Sequence, residues 1–142
     1  MFAARISLDL VGITKVYPSA VALNCVSLGI RGGEVVGLIG ENGAGKSTLL
    51  STLNGTFRPA SGEVLLDGNL VSYSRKGLVE LRSQVGLVLQ DPDDQLFAAT
   101  VFEDVSFGPL NLGLSVSQAR TRVLEALAIM GIEALSHRPT HL

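Results

Sequence analysis

The chain has 142 residues, 46% of them hydrophobic and 17% charged, which suits one domain with a real core and excludes a disordered chain. Its 11 basic and 13 acidic residues are scattered and sum to a formal charge of -2, so there is no basic field to recruit nucleic acid, and no nucleic-acid partner is expected. The single Cys25 excludes an internal disulfide, Asp9 interrupts the apolar start where a secretory signal would run on, and no apolar run nears the ~20 residues of a membrane span, so a cytoplasmic location is expected.

The predicted elements begin with two strands, ISLDLVGITKVY over Ile6–Tyr17 and VALNCVSLGI over Val21–Ile30, separated by Pro18 and Ser19. After the turn at Arg31, Gly32 and Gly33, EVVGLIG reads as a buried strand leading into GENGAGKSTLL. A helix is expected from Lys46 to about Leu53, ending at Asn54-Gly55. EVLLDGNLVSY, Glu63 to Tyr73, carries Asp67-Gly68 between apolar runs and predicts a hairpin. A helical stretch near Leu78–Gln84 and a short strand, VGLVLQ, follow. Thr100 with Glu103 and Ser115 with Gln118 form two capping boxes that open two further helices. In the second, which closes near Gly131, Val116, Ala119, Val123, Leu127 and Met130 recur on one face. Strands interleaved with helices around a glycine loop predict an α/β P-loop domain.

The chemistry is concentrated at Gly40-x-x-x-x-Gly45-Lys46-Ser47. Gly40, Gly43 and Gly45 let the backbone aim several N–H groups at one anion, and the helix beginning there adds its positive end. Glu41, Asn42 and Ala44 complete the loop, with Lys46 expected on the β- and γ-phosphates, Ser47 on Mg²⁺, and Thr48 in the first helical turn. The motif specifies a nucleoside triphosphate but no particular reaction.

Beyond the loop, the stretch from Ile13 to Gly68, with the GE before the strand, the GxxGxGKST variant and RPASGEVLLDG, resembles the start of an ABC transporter ATPase. The segment QDPDDQLFAATVFEDVSFGPLNLGLS resembles in particular the ATPases of cobalt and nickel importers and of energy-coupling-factor vitamin transporters. The resemblance implies ATP and Mg²⁺ as ligands, with Tyr17 as the aromatic that stacks on adenine. Gln90 is implied to contact Mg²⁺ and the attacking water and to lead into a mobile loop that meets the membrane subunits. It also implies a second ATPase subunit as partner and a place on the cytoplasmic face of the membrane.

The family's signature motif, its acidic strand with the catalytic Glu, and its switch His are not found, and SHRPTHL resembles the segment just before the signature. The expectation is therefore an amino-terminal portion that binds ATP without efficient hydrolysis and has marginal stability. VLLD, ending at Asp67, imitates the acidic strand, but Gly68 stands where glutamate is required. A small kinase or GTPase using Asp67 for Mg²⁺ is the rival reading, although no NKxD-like motif supports a GTPase; a module that binds nucleotide without turnover is another. Asp91, Asp93 and Asp94 are expected in a solvated loop, and His137 and His141 as surface residues.

Overall fold

The computed structural model describes residues 6–91 and 93–141, at Asp94 by its backbone alone, and divides into compact units at Leu87/Val88. In the first unit, β1 (Ser7–Tyr17) runs antiparallel to β2 (Ala20–Arg31) on one side and β3 (Ser61–Leu66) on the other. β4 (Asn69–Leu70) pairs with β3, giving the order β2-β1-β3-β4. Alternation decides the buried face: Leu8 and Leu10 point into the core while Val11 is exposed.

The β1–β2 ladder is irregular between Leu10 and Val16, and side-chain hydroxyls occupy the gaps. The Gly12 amide donates to Ser27 Oγ (2.9 Å), and the Cys25 amide to Thr14 Oγ1 (3.1 Å). The predicted hairpin is present, with Asp67 (φ 50°) and Gly68 (φ 76°) forming the two-residue turn between β3 and β4.

Helix α1 (Lys46–Leu53) lays Leu49 and Leu53 onto this sheet, and α2 (Arg75–Gln84) adds Leu81. These side chains join Leu10, Ile13, Leu23 and Val64 in one apolar cluster. At the carboxyl end of α1, Arg82 of α2 donates from Nε to the Asn54 carbonyl (3.4 Å) and from Nη2 to the Gly55 carbonyl (3.2 Å). A cation is thereby held just beyond the helix end, where it complements the negative pole of the helix.

Two predicted strands are corrected. Residues 34–40 and 85–90 lie in no strand of the described residues. A strand that is buried on both faces exists only through its neighbours' ladder bonds, and the four described strands offer these runs none. Their side chains are correspondingly open, with Val35 and Ile39 at 101% and 96% of full exposure.

The second unit contains α3 (Val101–Asn111) and α4 (Val116–Met130), each opened by its predicted capping box. Glu103 N donates to Thr100 Oγ1 (3.3 Å), and Thr100 N to Glu103 Oε2 (3.1 Å). Gly131 closes α4 in the left-handed region, as expected. The predicted apolar face is buried only at Ala119, Val123 and Leu127; Val116 and Met130 at its two ends are exposed. Packing by α3 and the 3-10 turn Glu133–Leu135 accounts for the burial along the middle of α4.

Candidate functional site

The glycine loop sits where the core gives way to open surface. Residues 40–44 are exposed, whereas Gly45, Lys46 and Thr48 are half-buried. Gly45, at φ 89°, stands immediately before α1 and against the backbone of β2, with Leu23 Cδ2 3.3 Å from where its Cβ would be. Only a residue without a side chain passes through this point in this conformation.

Gly45 provides no side-chain cap, so the amino end of α1 keeps its donors. The amides of Gly43, Gly45, Lys46, Ser47 and Thr48 make no hydrogen bond to the described residues. Lys46 Nζ donates to the carbonyls of Gly40 (2.6 Å) and Glu41 (2.7 Å), closing the loop over the helix start. The Ala44 amide donates to the Glu41 carbonyl (3.2 Å), leaving Asn42 and Gly43 at the exposed tip. Donors without acceptors, a helix's positive end and an ammonium are brought together, and this is chemistry that fits an anion bearing several oxygens. Ser47 presents an exposed hydroxyl in the first turn of α1, a hard oxygen suited to Mg²⁺.

Tyr17 ends β1 as a half-buried ring. Phe57 meets it edge-on, with centroids 6.2 Å apart and an interplanar angle of 85°. Sequence reasoning missed Phe57, because no local pattern links residues forty positions apart; it also missed Lys15, two residues before Tyr17 on the same strand, whose ammonium lies over the Tyr17 ring.

Asp67 is engaged elsewhere. Its Oδ1 accepts from the Ser7 amide (2.7 Å), while its own amide donates to the Ser7 carbonyl (2.8 Å). The carboxylate therefore pins the β3–β4 turn to β1, which is the structural use the Asp-Gly turn suggested.

Gln90 is an exposed residue of the second unit and follows a run that forms no strand, so its predicted place at a strand end is corrected. Asp91 and Asp93 are exposed, while Pro92 and the Asp94 side chain lie outside the described residues. His137 and His141 are exposed as well. The described residues contain no group of three His, Cys, Asp or Glu side chains that could hold a metal ion. None of their helices is long and apolar enough to cross a membrane.

The profile of the ABC transporter family matches residues 23–142. The chain belongs to the ABC transporter family. A cobalt import ATP-binding protein of Rhodobacter capsulatus is 61% identical over 131 residues, covering 92% of this chain and 47% of the relative. An energy-coupling factor transporter ATP-binding protein of Methanocaldococcus jannaschii is 52% identical over 126 residues, covering 88% and 45%. Among solved structures, a dimeric ATP-binding cassette in a post-hydrolysis state with ADP and Pi aligns at a TM-score of 0.79. It is 27% identical and covers 94% of this chain and 62% of that one. The chain thus spans about half the length of the curated ABC relatives it matches. The mixed α/β fold expected from the sequence is that of ABC ATPases.

Proposed function

We propose that these residues form the ATP-binding part of an ABC importer ATPase that energises uptake of cobalt or a related micronutrient. The observation that carries this reading is the set of unpaired amides at Gly43, Gly45, Lys46, Ser47 and Thr48, in a loop whose carbonyls hold the Lys46 ammonium. The loop amides and Lys46 hold the phosphates, Ser47 supplies an oxygen to Mg²⁺, and Tyr17 carries the adenine. When bound, Mg²⁺ would offset charge on the phosphate oxygens.

The loop after Gln90 is proposed to meet the membrane subunits on the cytoplasmic side. A second ATPase subunit is the proposed partner, a reading supported by the dimeric cassette. The 61% identity to a cobalt import protein favours cobalt as cargo over the vitamins of energy-coupling-factor systems. The signature motif, the acidic strand with its catalytic Glu and the switch His that the family resemblance calls for are not found in these 142 residues, so binding without efficient turnover is proposed for this chain.

Calorimetry with MgATP tests the binding step. Binding is expected for the unaltered chain and is expected to weaken about 10- to 100-fold in Lys46→Ala, which loses a charged hydrogen-bonding partner of the phosphates. Hydrolysis that Lys46→Ala abolishes would overturn the low-turnover reading. The cargo is tested by cobalt uptake in cells carrying the Rhodobacter relative with its matching half replaced by these residues. Uptake equal to background would count against it.

A further inference from the structure

The surroundings of Tyr17 carry an inference that the family match does not supply. Lys15 and Tyr17 lie near the end of β1, while Phe57 and Arg58 lie between α1 and β3. Lys15 Nζ is 5.6 Å from the Tyr17 ring centroid and 5.5 Å from that of Phe57. The same ammonium donates to the Arg58 carbonyl at 2.9 Å. Two rings and one cation therefore share a single contact region, with a backbone carbonyl holding the cation in place.

Phe57 is itself anchored. Its amide donates to the Ser51 carbonyl in α1 (3.0 Å), and three residues later the Ala60 amide donates to the Thr14 carbonyl in β1 (2.8 Å). The segment carrying Phe57 is thus tied at one end to the helix that starts at the glycine loop and at the other to the strand that ends at Tyr17. Tyr17, half-buried and followed by Pro18, has a ring whose orientation depends on what packs against its side. The edge-on contact with Phe57 supplies that packing.

We propose that Phe57, with Lys15 as a tether, is a positioning residue that holds the Tyr17 ring where a nucleotide base stacks on it, and so sets the preference for a nucleotide over a bare polyphosphate. This rests on the reading of Tyr17 as the base platform. A base stacks well only on a ring already held in the right plane, because ordering the ring on binding costs conformational entropy.

The test compares binding of ATP and of inorganic tripolyphosphate, which has no base, by calorimetry on the full 142-residue chain. Phe57→Leu keeps bulk but loses the ring; it should weaken ATP binding about three- to tenfold, the range of one edge-on aromatic contact, and leave tripolyphosphate binding unchanged. Phe57→Tyr should restore ATP binding, and Phe57→Leu should cost nothing further in a Tyr17→Ala background. Unchanged tripolyphosphate binding also shows that the cradle has folded. Equal losses for both ligands, or a full additional loss in the Tyr17→Ala background, would overturn the proposal. If Tyr17→Ala weakens ATP binding but Phe57→Leu does not, the platform reading stands and the positioning role is overturned. If Tyr17→Ala leaves ATP binding unchanged, both are overturned.

Discussion

The carbonyl oxygen of Ala22 occupies the space that a Cβ on Gly45 would need. β2 and the glycine loop are thereby in backbone contact, and the phosphate cradle is braced by the sheet. Gly45→Ala would add this clash to the strain of an alanine at φ 89°. We expect a loss of at least about 2 kcal/mol in stability, with ATP affinity falling beyond what that loss explains. Urea denaturation and calorimetry on the same variant separate the two effects; an alanine variant with unaltered binding would mean that the loop is not held by β2.

Asp67 offers a test of structural against metal use. Asp67→Ala loses the bond from the Ser7 amide and places alanine at a positive φ, which should cost about 1 to 3 kcal/mol in stability. Asp67→Asn keeps both an acceptor oxygen and tolerance of this backbone region, so most of that stability should be retained. Neither change should alter the Mg²⁺ dependence of ATP binding, measured by titrating ATP with and without the metal.

Tyr73 introduces a dependence on alkaline pH. Burial pushes its phenol up from the ordinary 10.0, with the Arg58 guanidinium pulling the other way. The folded state therefore keeps its proton to higher pH than the unfolded state. Its contribution is complete below the unfolded value and is lost as pH rises through the folded one. Thermal melts should show stability falling above about pH 10, and Tyr73→Phe should flatten that fall. Because the Tyr73 hydroxyl is buried without a hydrogen-bond partner among the described residues, the phenylalanine variant should be at least as stable at neutral pH.

The open apolar runs predict stickiness. Val35 and Ile39 in the first unit and Val88 in the second are almost fully exposed. The chain should bind an apolar dye such as ANS under native conditions and self-associate as its concentration rises. Val35→Thr with Ile39→Thr should reduce both without lowering the melting temperature. A chain that binds no dye and sediments as a monomer would show these side chains to be covered.

What the sequence reveals follows the range of each interaction. The Asp-Gly hairpin, both capping boxes, the glycine that closes α4 and the P-loop helix all rest on contacts within a few residues, and all are present. The VVGLI and VGLVL runs read as strands because they are β-branched and apolar, but a strand is defined by partners, and pattern alone cannot supply them. The bond from Ser7 to Asp67 spans sixty residues and the Tyr17–Phe57 contact forty. Contacts at that separation leave no periodic trace, so the glycine loop was legible and the support around Tyr17 was not.

The guanidinium of Arg82, held by the carbonyls of Asn54 and Gly55 just past the end of α1, has an electrostatic consequence at the opposite end of that helix. Eight residues make a helix roughly 12 Å long, about one and a half screening lengths at physiological ionic strength. The partial negative charge that would trail the dipole is offset by a full positive one. What remains is an uncompensated pole of about half a charge at the glycine loop. The positive pole at the glycine loop is then the less opposed, so a residue that touches no phosphate adds modestly to the pull on an anion there, more at low salt than at high.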